Sequence, residues 1–240
     1  MLENAKGAKG ATILVTTRLQ EVASIMGTRP AYSLTALSED DSRSLFKHHA
    51  FGLNREEREQ LVAIGKEIVR KCVGSPLAIK TLGSCLRDVS EVKQWHNIKE
   101  SEIWNIWEAS SDENSIMRAL KLSYFNLELS FRRCFSFCAI FPKDFEIDKE
   151  ELIHLWMANG FIKREGNVEV EDVGNKGWKR LYDRSFFQEA KANRIGMIKT
   201  LKMHDLFHDL AQSIMGEECV IYGERKLTRL PNRVHYLRLL

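Results

Sequence analysis

Two histidines four residues apart, His204 and His208 in Met203-His204-Asp205-Leu206-Phe207-His208-Asp209-Leu210-Ala211, are the first candidates for chemistry. On a helix that spacing puts both imidazoles on one face, where they can ligate a metal. A zincin would place a glutamate directly after the first histidine, and here the residue is Asp205. An HD-type hydrolase would need further ligands from several helices, so the metal reading is weak. Cys134 and Cys138 also sit one helical turn apart, but Phe135, Phe137 and Phe141 surround them and no third or fourth ligand is near in sequence. Core packing is the better reading of both thiols. His48-His49 are adjacent, so their side chains diverge on a helix. Arg18 closes the run Gly10-Ala11-Thr12-Ile13-Leu14-Val15-Thr16-Thr17. An arginine at the carboxyl end of a parallel strand lies at the ligand crevice of an open α/β sheet, where it can bind phosphate. Taken alone, the triplet Thr16-Thr17-Arg18 is better read as a surface arginine ending a strand.

The elements that must position these residues are mostly helices. Cys134, Phe137, Cys138 and Phe141 share one apolar face, and Pro142 ends that run. Asp148 with Glu151 forms a capping box for a second helix through Leu152, Leu155, Trp156 and Asn159, which Gly160 stops. This pair of short helices fits a winged-helix core, the second of them being the candidate recognition helix. Residues 168–184 supply another helix through Val173, Trp178 and Leu181. Phe186-Phe187-Gln188 and Met197-Ile198-Lys199 flank a turn and read as a hairpin, the wing. Upstream, residues 10–18 read as one buried strand. Ser38 and Asp41 open a helix, residues 55–72 make another, and Gly74-Ser75-Pro76-Leu77-Ala78 turns into a third. Trp95, Trp104 and Trp107 close this small bundle.

Composition sets further bounds. The 240 residues carry a net charge of +3, and it is spread evenly. Residues 1–114 carry −1, residues 115–212 carry +2 and residues 213–240 carry +2. Nucleic-acid binders concentrate basic residues in a stripe, so a winged-helix DNA-binding protein is the alternative rather than the main reading. The five cysteines lack CxxC spacing, which favours reduced thiols inside a cell over a disulfide framework. No apolar run approaches a membrane span, and no secretory signal is read at the start.

The stretch Cys134–Ile162, CFSFCAIFPKDFEIDKEELIHLWMANGFI, resembles the RNBS-D region of plant disease-resistance proteins of the NB-ARC and leucine-rich-repeat family, coiled-coil class. Three further stretches resemble that family's motifs. Thr16-Thr17-Arg18 matches RNBS-B, residues 33–51 match RNBS-C, and Met203-His204-Asp205 matches the MHD motif. Gly74-Ser75-Pro76-Leu77-Ala78 matches Gly-Leu-Pro-Leu-Ala, with Ser75 as a departure. The resemblance implies a mainly α chain: a remnant α/β strand, a helical bundle, then a winged-helix domain with a small β-hairpin. The expected domains are 1–32, the end of a nucleotide-binding subdomain; 33–112, a helical bundle; 113–212, the winged helix; and 213–240, the linker and the first leucine-rich repeats.

The resemblance also implies an ADP/ATP switch in a cytoplasmic immune receptor, with nuclear residence compatible. Arg18 would lie near the terminal phosphate, Pro76 against the adenine nucleotide, and His204 on the β-phosphate of ADP. Neither GxxxxGK[ST] nor an acidic kinase-2 strand occurs in the sequence. The expectation is therefore a fragment that is not an enzyme and holds no nucleotide stably alone. Its partners would be the family's repeats, its nucleotide-binding subdomain and other receptor copies. A truncated interaction module acting on an intact receptor is a further alternative. The family's turn proline is missing from Phe125-Asn126-Leu127-Glu128, which predicts a preceding helix that runs on or ends less sharply. The tail is expected to be frayed or held against the winged-helix domain.

Overall fold

A computed structural model describes residues 13–17, 19–52, 57–105, 112–192, 196–222 and 233–239. The chain divides into two units, Met1–Thr35 and Ala36–Leu240. In the first, α1 (Gln20–Met26) has no buried residue. The strand expected over residues 10–18 does not form where the chain is described. Residues 13–17 join no ladder, and Leu14 is 89% exposed. An apolar run becomes a strand only when neighbouring strands satisfy its backbone, and no described residue pairs with this one.

The second unit starts with α2 (Glu39–Phe51), α3 (Glu59–Lys71), α4 (Pro76–Leu86), α5 (Val92–Lys99) and a 3₁₀ turn at Glu102–Trp104. Local sequence explains the starts. The Ser38 hydroxyl accepts from the Asp41 amide at 3.1 Å and donates to its carboxylate at 2.6 Å, and acids fill the first turn of α2. Ser75, the departure from the family motif, accepts from the Ala78 amide at 3.4 Å and caps α4, with Pro76 at its first position. Phe46, Leu61, Ile68, Ile79, Leu82, Leu86 and Trp95 form the centre of a first core. Trp95 and Trp104 are buried, and their indole N–H groups donate to the Val89 and Ile98 carbonyls. Trp107 lies outside the described residues. Helices α2 and α4 meet at Gly83, where an added Cβ would stand 2.9 Å from His49 Cβ and 3.2 Å from the Phe46 carbonyl.

Helix α6 (Asp112–Phe125) is shared between cores. Its Ala119 and Leu122 belong to the first core, and its Leu120 and Tyr124 to the second. The missing turn proline does not lengthen it. Arg132 donates to the Phe125 and Leu127 carbonyls, and buried Arg184 donates to that of Asn126 at 3.0 Å. Two guanidinium groups thus satisfy the helix end that a proline turn would have closed.

The second core gathers α7 (Leu129–Phe137), a 3₁₀ turn at Cys138–Ile140, β1 (Ile147–Asp148), α8 (Lys149–Ala158), α9 (Val170–Asp183), β2 (Phe187–Ala192), β3 (Ile198–Met203) and α10 (Asp205–Met215). The three strands form one antiparallel sheet in the order β1-β3-β2, with Ile147 opposite Leu201 and Phe187 opposite Met203. The Asp148 carboxylate caps α8 by accepting from the Glu150 and Glu151 amides. Gly160, at φ +66°, ends it. Beyond a 3₁₀ turn at Gly216–Glu218, β4 (Cys219–Tyr222) pairs in parallel with β5 (Tyr236–Leu239). The described tail is held against the second core: Cys219 is buried in it, and the Tyr236 ring meets Phe137 and Phe161.

Because His49 Cβ is fixed to the α2 backbone and cannot swing away, Gly83→Ala forces α2 and α4 apart. The expected cost is about 1–3 kcal/mol, read as a lower urea midpoint. An unchanged midpoint contradicts this packing.

Candidate functional site

The strand β3 ends at Met203 and α10 begins at Asp205, so His204 is the hinge between them. It is the N-cap residue of α10, with extended backbone angles, and its Nδ1 accepts the Leu206 amide at 3.1 Å. A nitrogen that accepts carries no proton, so the neutral ring holds its proton on Nε2. A half-buried imidazole N–H at the positive end of a helix suits an anion.

His208 serves another purpose. It is 6% exposed, and its Nε2 donates to the Phe141 carbonyl at 2.7 Å. One turn on, Gln212 Nε2 donates to the Ala139 carbonyl at 2.6 Å. Between them Asp209 pairs with Lys143 at 2.6 Å. Three side chains of α10 thus grip the turn where α7 ends and Pro142 breaks the chain. Sequence reading singled out His208 but missed Gln212 and Asp209. The available signal was that Gln212 continues the i, i+4 face of His204 and His208.

His204 Nδ1 and His208 Nε2 are both committed to backbone groups, and among the described residues no cluster of three His, Cys, Asp or Glu side chains is placed to hold an ion. The cysteines are all buried and unpaired with one another. Burial pushes the Cys72 and Cys134 thiols up to about 12 and Cys138 well above its ordinary value, so they are protonated core residues rather than ligands. His49 is lowered to about 4, chiefly by burial and then by Lys80, His48 and Arg87; it stays neutral at neutral pH beside Ser84.

Pro76 is exposed at the first position of α4, while its neighbour Leu77 packs against the second core. The start of α4 therefore stands at the seam of the two cores. Arg18 lies outside the described residues.

The surface that would read DNA is not α8. Its Trp156 is fully buried, and α9, the helix before the β2–β3 hairpin, occupies the recognition position. Basic residues of α9 are already paired: Lys179 with Asp183 at 2.7 Å, Lys176 with Glu165 at 3.4 Å, and Arg180 with Asp88 at 3.3 Å and Glu128 at 3.8 Å. The last two tie α9 to the end of α4 and to the turn before α7.

Residues 140–211 match the family described as the disease resistance protein winged helix domain. The chain is 53% identical over 208 residues to putative disease resistance protein RGA4 of Solanum bulbocastanum, covering 87% of this chain and 20% of that protein. It is equally similar to disease resistance protein RGA2 of that species, over 87% of this chain and 21% of the relative. The chain belongs to the disease resistance protein family. A more distant relative, putative disease resistance RPP13-like protein 1 of Arabidopsis thaliana, is 36% identical over 97% of this chain and 21% of its own length. The chain thus spans about a fifth of the length of these curated relatives. Within the disease resistance winged helix, the matched segment runs from the gripped turn to α10 and so contains both ends of the His208 bond.

His208→Phe keeps the ring volume but removes the donor, leaving the Phe141 carbonyl buried without it. The expected loss is about 1–3 kcal/mol, whereas Asp209→Asn, in a half-exposed ion pair, is expected to cost under about 1 kcal/mol. Equal costs in urea unfolding would mean that the buried hydrogen bond does not hold the turn.

Proposed function

We propose that this chain is part of a plant immune receptor and forms the lower half of an ADP/ATP switch. The single observation that carries the reading is the His204 cap. Its Nδ1 accepts the Leu206 amide and sets His204 at the N-terminus of α10. A helix N-terminus favours an anion such as a β-phosphate. In this reading His204 holds the diphosphate and Pro76 packs on the adenine. Bound ADP then favours a closed arrangement, and exchange for ATP shifts the population toward an open one only by its differential affinity for the two. The P-loop that would cradle the phosphates and hold Mg²⁺ is contributed from outside these 240 residues.

The partners are the receptor's nucleotide-binding subdomain and leucine-rich repeats, with self-association after exchange. Cytoplasmic residence follows from that role. Among the described residues no helix is long and apolar enough to cross a membrane. Similarity to the disease resistance proteins supports the receptor role, and the paired charges of α9 weigh against the DNA-binding alternative.

Titration of the 240-residue chain with ADP is expected to show no micromolar binding, and the chain no ATP turnover. Turnover that survives removal of contaminating ATPases contradicts the reading. In a receptor polypeptide that includes the P-loop, His204→Ala is expected to speed ADP release ~10–100-fold, the loss of one charge-assisted hydrogen bond. Unchanged release would remove His204 from the site.

A further inference from the structure

Helix α6 divides its faces between the two cores, and beside that division the molecule keeps a hollow. A cavity of about 320 Å³ opens between the 3₁₀ turn at Glu102–Trp104, α6 and the second half of α10. Small-molecule sites start at roughly 300 Å³. Ile103 lines it from the first core, and Met117, Tyr124 and Leu210 line it from the second. Phe125 and Ile214 complete the wall, although they are 49% and 37% exposed. Large apolar side chains left wet beside a hollow mark a surface that a ligand can cover.

The wall is held in place. The Phe125 ring meets the Tyr124 ring edge-on at 5.2 Å, and the Arg132 guanidinium lies within 6 Å of both. Arg132 also donates to the Phe125 and Leu127 carbonyls. On the other side, Leu210 stands between His208 and Gln212, the residues that anchor α10. The charges in the wall have one sign. Arg118 and Lys121 both line the cavity from α6, with the Ser213 hydroxyl on α10 as a neutral polar group. Positions three apart share a helix face, so the two cations stand together. No described lining residue is acidic.

We propose that this cavity binds a small amphipathic acid, a carboxylate carried on an aliphatic or aromatic body. The body lies against Ile103, Met117 and Leu210, and Arg118 and Lys121 meet the carboxylate by charge-assisted hydrogen bonds. A helix about 10 Å across does not enter a recess of this volume, which favours a small molecule over a docked helix. Met117, unbranched and adaptable, lets the wall fit bodies of different shape. Bound there, the acid touches the 3₁₀ turn, α6 and α10 together, and so fastens the bundle to the winged helix. None of its contacts is Pro76 or His204, so the site stands apart from the nucleotide reading.

Decanoate is the probe and decanol its uncharged counterpart, each titrated into the methyl-labelled 240-residue chain without nucleotide and followed by NMR. Decanoate is expected to shift the Ile103, Met117 and Ile214 methyls together, with a dissociation constant on the order of 1 mM. The methyls of Ile68 and Ile79 inside the first core should stay fixed. Lys121→Gln should weaken decanoate ~3–10-fold and leave decanol unchanged, while Lys121→Arg keeps the parent's affinity. Ser213→Trp, which fills the hollow from α10, should abolish binding of both probes at an unchanged urea midpoint. If it lowers the midpoint, Ile214→Trp at the exposed rim serves instead. The proposal is overturned by an absence of shifts at the three methyls or by shifts scattered through both cores. It is equally overturned if decanol binds as tightly as decanoate, if Lys121→Gln weakens both probes alike, or if binding survives in a folded tryptophan variant.

Discussion

The carbonyls of Ala139 and Phe141 are the constraint on which the winged-helix half depends. Pro142 follows them, so helix α7 cannot continue and supply amides to accept from. Left buried and unmet, each would cost on the order of 1–3 kcal/mol. His208 and Gln212 meet them from one face of α10. Because α10 is anchored this way, the residue at its start is anchored too. Thus His204 inherits its position from a turn more than sixty residues earlier in the chain. From another direction β5 reaches the same turn, where Arg238 rests on the stacked rings of Phe141 and Phe145. Three parts of the molecule, namely α7, the α10 helix and the tail strand, therefore meet on the segment 139–145.

A second organising element is α6. It offers one face to each core, so the bundle and the winged helix share a wall. Its end is closed by Arg132 and Arg184, and Arg180 pairs with Asp88 near the end of α4. Packing at both ends of this wall ties movement of the winged helix to breaking specific bonds. Those are the buried guanidinium contact of Arg184, the exposed Arg180 pairs and the Leu77 contact at the start of α4. A nucleotide held between Pro76 and His204 would act across this same seam.

Features governed by local chemistry were legible in the sequence. The caps at Ser38 and Asp148, the stop at Gly160 and the break at Pro142 each need only a few neighbouring residues, and each appears where the spacing placed it. The helical character of the chain and its winged helix followed from the same signals. Features governed by distant partners were not legible. The sharp end of α6 depends on Arg184, fifty-eight residues beyond the carbonyl it caps. The helix directly before the β2–β3 hairpin is α9 rather than α8, an order set by the pairing of distant strands. The strand expected over residues 10–18 is absent from the described residues 13–17, because strand formation is a property of a sheet, not of an apolar run. At the turn into α10, the motif drew attention to His204 but did not show its bond to the Leu206 amide, which makes it the helix cap.

The central claim is that α10 is locked to the turn by a buried imidazole. The most direct measurement is nitrogen-15 NMR of the His208 ring in the folded 240-residue chain at neutral pH. The account predicts a proton on Nε2, slow exchange of that proton with water, and a scalar coupling across the hydrogen bond to the Phe141 carbonyl carbon. A proton on Nδ1, or an Nε2 proton that exchanges as fast as an exposed imidazole's, would contradict it.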